Sequence, residues 1–323
     1  GDGGPDVEVI APPAGALDVA WADETGVWRA GRDGDPVQVA DTSACCVAFA
    51  PDGTTLAYLQ SESRELSILT RDSAVAVSGT VDRFAWSPTQ PVLAALVREG
   101  EESAIDVYDP TGTRLWRAPV PAGRFAYDFA WSADGTQLAY VTLDAAGDHL
   151  YVADVDRGRP SDEVREVPIT GLPVEMPGLY LATWSPDGRY VLVWPSVGHS
   201  SVQDGAFLYA VDVTTGEASQ LFSGFILRSS LQWSPGTSTL LGYADAGRMV
   251  TDERHVVACR IGEGCTERPM AGQTMEPAWR PDGTGYAFVV NRASTDPNDF
   301  LVGETPDWAS RYAQRELWVA NAD

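Results

Sequence analysis

The chain is poor in groups that do covalent or metal chemistry: its 323 residues hold four cysteines and three histidines. Cys259 and Cys265 flank RIGEG, which reads as a hairpin turn, and a cross-strand disulfide there is geometrically reasonable. Such a bond would point to an oxidising compartment. Cys45 and Cys46 are adjacent on a predicted strand. Successive strand side chains face opposite ways, so the two sulfurs should not share one environment. Two readings stay open for them, buried free thiols or a strained vicinal disulfide. CRIGEGC has no second Cys/His pair suited to zinc. His149, His199 and His255 are too dispersed for an obvious metal cluster and read as structural or surface histidines. GHSSV (198–202) fails the last position of a hydrolase nucleophile elbow, and no phosphate loop or dinucleotide fingerprint is present. DPNDF (296–300) offers oxygen ligands without the spacing of a calcium loop. No catalytic residue, metal or cofactor is therefore expected.

Charge narrows the partners. All 22 basic residues are Arg, against 46 acidic ones, for a net charge of −24. A surface this negative repels phosphate backbones, which disfavours nucleic-acid binding. No run of 18 apolar residues exists, so no segment is expected to span a membrane. A 44 % apolar fraction is too high for a disordered chain. The start at Gly1, with no Met and no signal peptide, reads as a processed chain.

The elements that must position these residues are announced by a repeat. FAPDG, WSPTQ, WSADG, WSPDG, WSPGT and WRPDG begin at Phe49, Trp86, Trp131, Trp184, Trp233 and Trp279. Each follows a short apolar stretch and precedes another, as in FAWSADGTQLAYV. Two further elements follow in most units, such as LYVADVDRG then REVPI. Period-2 patterning, β-branched and aromatic residues, and Gly/Asp punctuation favour strands over helices. A four-stranded unit of about 45 residues is the signature of a propeller blade. Its strands are termed A to D, with A ending in the aromatic. The aromatic should pack between blades, and Asp-Gly should supply the A–B turn. Residues 17–40 read as strands B, C and D of an earlier blade, giving seven; six is the alternative, with 17–40 an appendage. The last blade ends at its C strand, and VEVI (7–10) could supply the missing D strand, closing the ring by pairing the two chain ends. The expected fold is thus all-β, a seven-bladed β-propeller, with 1–323 one domain and 291–314 a long loop insertion in the last blade.

The repeats resemble those of TolB-like β-propellers, whose pattern runs W-S-P-D-G, L-A-Y, L-Y-V-x-D-x-x-T-G. The resemblance covers nearly the whole chain and is best in FAWSADGTQLAYV with LYVADVDRG, and in ATWSPDGRYVLV with LYAVDVTTG. FAPDG, WSPTQ and WSPGT depart from it at the turn. It implies a bacterial, extracytoplasmic, non-enzymatic binding scaffold. Relatives with peptidase activity carry a hydrolase half that is absent here.

Loop lengths single out one face. A–B and C–D turns are short and stereotyped. B–C loops (98–104, 195–206, 244–254, 291–314) and D–A loops (119–125, 170–179) are long and variable, and lie on the other face. Function concentrates on loops held by a rigid scaffold. Phe300, Trp308 and Tyr312 in the longest insertion could form a partner site or fold down as a plug. Ser43, Arg83, Asp128, Tyr180, Arg228 and Glu276, at the starts of A strands, should approach the central channel mouth. The first expectation is a protein partner at the cell envelope, the chain being lipid-anchored or part of a larger envelope protein. The alternative is a small-ligand or glycan site at the channel mouth, of lyase or hydrolase type if enzymatic.

Overall fold

The computed structural model describes residues 19–31, 35–70, 73–77, 79–173, 178–195, 207–222, 225–226, 230–245, 255–268, 273–291 and 315–321. These form seven antiparallel sheets in chain order, one per predicted blade. Blade 1 comprises Val19–Asp23, Gly26–Ala30 and Val37–Ala40. Blade 2 comprises Ala44–Phe49, Leu56–Gln60, Leu66–Leu69 and Ala74–Ala76. Blade 3 is Thr80–Trp86, Leu93–Glu99, Glu102–Tyr108 and Arg114–Arg117. Blade 4 is Phe125–Trp131, Gln137–Asp144, Gly147–Asp156 and Arg159–Val167. Blade 5 is Leu179–Trp184, Tyr190–Pro195, Tyr209–Asp212 and Ala218–Gln220. In blade 6 the A strand is split into Phe225–Ile226 and Gln232–Trp233, both paired with Thr239–Asp245, and His255–Arg260 and Gly264–Arg268 follow. Blade 7 shows Gln273–Trp279, Gly285–Asn291 and Arg315–Asn321. VEVI (7–10) and nearly all of the 291–314 insertion lie outside the described residues.

Both faces of blades 2 to 6 pack against neighbours, so their inner strands read as apolar runs without alternation, whereas Val19 and Val37 of blade 1 and Leu317 and Val319 of blade 7 are exposed. Leu93 to Val97 of blade 3 and Val191 to Trp194 of blade 5 are buried at every position. The core divides into six clusters, each lying between two successive blades. The repeated tryptophan ties four of the interfaces among the described residues. Trp86 Nε1 donates to Ala48 O at 3.0 Å, and Trp131 Nε1 to Ala85 O at 3.2 Å. Trp184 Nε1 donates to Ala130 O at 2.9 Å, and Trp279 Nε1 to Gln232 O at 3.1 Å. In each pair the acceptor immediately precedes the aromatic of the blade before. Trp233 breaks the series, its Nε1 being buried with no hydrogen-bond partner.

The A–B turn follows from its residues. In blade 4, Ser132 Oγ donates to Asp134 Oδ1 at 2.7 Å, and that oxygen accepts the Thr136 N–H at 3.0 Å. Gly135 then takes φ +70°, a left-handed conformation that favours glycine. A Cβ there would also lie 2.3 Å from Thr89 Oγ1 of blade 3. Short side chains thus let neighbouring turns nest. The result is a face of tight turns opposite the face that carries the longer connections.

Candidate binding face

A β-bulge recurs near the start of the A strand, where register shifts in blades 2, 3, 4, 5 and 7. A bulge sets one extra residue against its partner strand and re-aims the side chains around it. The extra residue is Cys45 in blade 2, Asp82 in blade 3, Tyr127 in blade 4 and Ala182 in blade 5. Just beyond stand Cys46, Arg83, Asp128 and Thr183.

Arg83 and Asp128 are brought together across the blade 3–blade 4 boundary as an ion pair. Asp128 is 2 % exposed. It accepts the Phe129 N–H at 2.9 Å and, from blade 5, the Leu181 N–H at 2.8 Å. The Arg83 guanidinium also sits 4.6 Å from the centre of the Phe129 ring. One carboxylate therefore links three blades. Tyr180 meets Tyr127 edge to face at 5.8 Å and packs against the core between blades 5 and 6. Tyr127 OH lies 2.6 Å from Asp148 Oδ1 and accepts the Leu179 N–H at 2.7 Å. Burial, and then the Asp148 carboxylate, raise the Tyr127 phenol far above its ordinary range, so it stays a neutral donor. Ser43 is exposed, with its Oγ 3.2 Å from Ser61 Oγ. Arg228, Phe300, Trp308, Tyr312 and His199 lie outside the described residues, as does the Glu276 side chain.

Outward from this rim, blades 3 and 4 enclose a cleft of about 520 Å³. Its walls include Glu99, Glu102, Arg117, Val120, Arg124 and Phe125. Phe125 is 44 % exposed. Arg117 reaches Glu99 at 3.0 Å and the fully buried Asp106 at 2.7 Å. These hydrogen bonds raise the guanidinium's pKa further, and hold Glu99 below the usual carboxylate range. Arg124 Nε donates to Asp144 Oδ2 at 2.8 Å. His149 lies between two carboxylates, its Nδ1 at 2.8 Å from Glu166 Oε1 and its Nε2 at 3.1 Å from Asp144 Oδ2, the latter without hydrogen-bond alignment. The Ala146 N–H, then His149 and Arg124, hold Asp144 down at about 2. A second cleft of about 370 Å³, between blades 4 and 5, is lined in part by Asp148, Leu172, Leu179 and Pro195. Arginines here are matched to carboxylates, so the walls are charged yet locally balanced. The arrangement suits recognition of a polar surface with an aromatic contact.

These cleft residues were not singled out from the sequence, although loops 98–104 and 119–125 that carry several of them were. Loop length marks where irregular chain lies. It does not say which side chains of those loops and of the D strand between them face one cleft.

The expected bridge is present: Cys259 and Cys265 are bonded at 2.01 Å, directly opposite on strands C and D of blade 6, on the short-turn face. The expectation for Cys45 and Cys46 is corrected. Both are exposed, and their sulfurs lie 2.7 Å apart. The bulge at Cys45 cancels the alternation that would have separated them. Among the described residues, no group of three His, Cys, Asp or Glu is arranged to hold a metal ion, and no helix is long and apolar enough to cross a membrane.

No protein-family model matches the chain, and no curated protein does. Solved structures do. The Dos1 propeller superposes with a TM-score of 0.57 at 10 % identity, covering 84 % of this chain and 73 % of that one. Kuenenia stuttgartiensis hydrazine synthase gives 0.50 at 15 % identity, covering 83 % of this chain and 81 % of that one. A TolB from Agrobacterium tumefaciens gives 0.45 at 18 % identity, covering 72 % and 83 %. Identities this low speak to the fold alone, and the fold is a β-propeller.

Proposed function

We propose that this chain is a non-enzymatic, extracytoplasmic propeller of the TolB-like kind, a single domain that binds a protein partner on its long-loop face. The observation that carries the reading is the cleft between blades 3 and 4. An exposed Phe125 lines it together with Glu99, Glu102, Arg117 and Arg124. An aromatic anchor within a polar rim is the usual anatomy of a protein interface. Phe300, Trp308 and Tyr312 of the 291–314 insertion, the partner-binding residues expected from the sequence, lie outside the described residues. With a net charge of −24, the partner should present basic groups, and association should weaken as salt rises. The Cys259–Cys265 disulfide favours a compartment outside the cytoplasm.

The test uses the full chain as bait in envelope extract from the source cells. Phe125→Asp places a charge in the cleft. Arg157→Glu alters an exposed C–D turn on the opposite face. Capture of a partner by the native chain and Arg157→Glu, and its loss with Phe125→Asp, is the expected result. Equal capture by all three would refute the assignment of the face.

A second reading has its own motive. Phe125 beside Arg124 and two glutamates also suits an aromatic platform for a sugar or short peptide. Such a ligand would raise the melting temperature by mass action in native protein and not in Phe125→Asp. No shift across a glycan and peptide panel would remove that reading.

A further inference from the structure

We propose that Cys45 and Cys46 form a reversible vicinal dithiol–disulfide site at the start of the A strand of blade 2, which exchanges with small-molecule disulfides. Three independent features of blade 2 support it. The first is the bulge. Ala44 pairs with Gln60 and Cys46 with Leu59, which leaves Cys45 as the extra residue. Neighbouring side chains on a regular strand diverge; here both sulfurs lie on one side, 2.7 Å apart. That separation is longer than an S–S bond of about 2.0 Å, and closing it needs only a small side-chain movement.

The second is a cation. Arg64 Nη1 lies 3.5 Å from Cys45 Sγ. Its Nη2 donates to the Asp82 carbonyl of blade 3, and its own carbonyl accepts the Val81 N–H at 2.8 Å. Arg64 is clamped between two blades and held at φ +57°, a conformation that strains a non-glycine residue. Strain of this kind gathers at functional positions. The guanidinium faces the sulfur that would carry negative charge, and thiolate is the form that attacks disulfides. Desolvation of its sulfur, then the adjacent Cys45 sulfur, push the Cys46 thiol up.

The third is access. Both cysteines are exposed, whereas Cys259 of the structural bridge is 2 % exposed. The same molecule therefore carries one sheltered disulfide and one open pair.

With oxidised glutathione the chemistry balances. Cys45 thiolate attacks one glutathione sulfur, forms a mixed disulfide and releases the first glutathione thiolate. Cys46, losing its proton, attacks Cys45 Sγ and releases the second. Two protein thiols have lost two electrons and two protons, and one glutathione disulfide has become two glutathiones.

The experiment treats the mildly reduced full chain with oxidised glutathione, then alkylates and digests it. The tryptic segment ending at Arg64 contains no cysteine besides Cys45 and Cys46. Its expected mass falls by two hydrogens, with no glutathione retained and both titratable thiols lost. Cys46→Ser should hold a stable glutathione adduct on Cys45, because the resolving thiol is gone. Arg64→Gln should slow the first step severalfold in native protein. Any of three results overturns the proposal: both thiols persisting at every oxidant concentration, a stable adduct on the native chain, or covalent dimers in place of the internal bond.

Discussion

Removing the Asp128 carboxylate should weaken the junction of three blades more than any other single polar change at the rim. Asp128→Ala takes away the acceptor used by the Leu181 and Phe129 N–H groups and the ion-pair partner of Arg83. A buried N–H deprived of its acceptor costs about 1–3 kcal/mol. Breaking a buried ion pair from one side costs about 3–5 kcal/mol. Arg83 keeps 34 % of its side chain in solvent, so its charge regains water and that figure must be discounted. The sum for Asp128→Ala is then about 3–5 kcal/mol. Asp128→Asn keeps an oxygen for one N–H and should cost about 1–2 kcal/mol. Arg83→Met leaves the buried carboxylate with its N–H donors and should cost about 2–3 kcal/mol. The assay is urea unfolding followed by tryptophan fluorescence, with the double variant completing a cycle. Coupling of about 1 kcal/mol or more between Arg83 and Asp128 is expected. If Asp128→Ala costs under about 1 kcal/mol, or the double variant is simply additive, the carboxylate does not link the blades as argued.

Further predictions rest on other contacts. Trp184→Phe removes the N–H bond to Ala130 O, whereas Trp233→Phe removes a buried N–H with no partner. Unfolding free energies should fall about 1 kcal/mol further for the first than for the second, and equal losses would discount the inter-blade bond. Replacing both Cys259 and Cys265 by Ala opens a loop with a separation of six residues and should cost about 2 kcal/mol, read as a lower urea midpoint. Asp144 is held at about 2 in the folded chain, below its ordinary carboxylate value. Its contribution is present above about pH 4 and is lost as pH falls toward 2. Native protein should therefore lose stability more steeply than Asp144→Asn over that window, and superposable acid limbs would contradict the hydrogen bonds from Ala146 and Arg124 and the His149 contact.

Seven blades were legible in the sequence because each one is built locally. Its strands are short, its turns are made by Ser, Asp and Gly acting within a few residues, and its aromatic recurs at blade length. The Cys259–Cys265 bridge was legible for the same reason: it spans one hairpin. The loop-rich face could be read too, since strand direction alone sorts the connections between two ends. The partners across blades could not be read. Arg83 and Asp128 are 45 residues apart, and Asp128 and Leu181 are 53 apart. Nothing in the intervening chain states that they meet. The bulge decided the rest. A one-residue shift in strand register leaves no mark on periodicity short enough to detect, yet it turned Cys45 and Cys46 from opposite faces onto one. The cleft around Phe125 lies closer to the sequence: its walls come from 97–104 and 117–125, the B–C turn and D strand of blade 3 and the loop into blade 4. Only the folded sheet, which sets strand D two strands away from strand B, decides which of those side chains face one another.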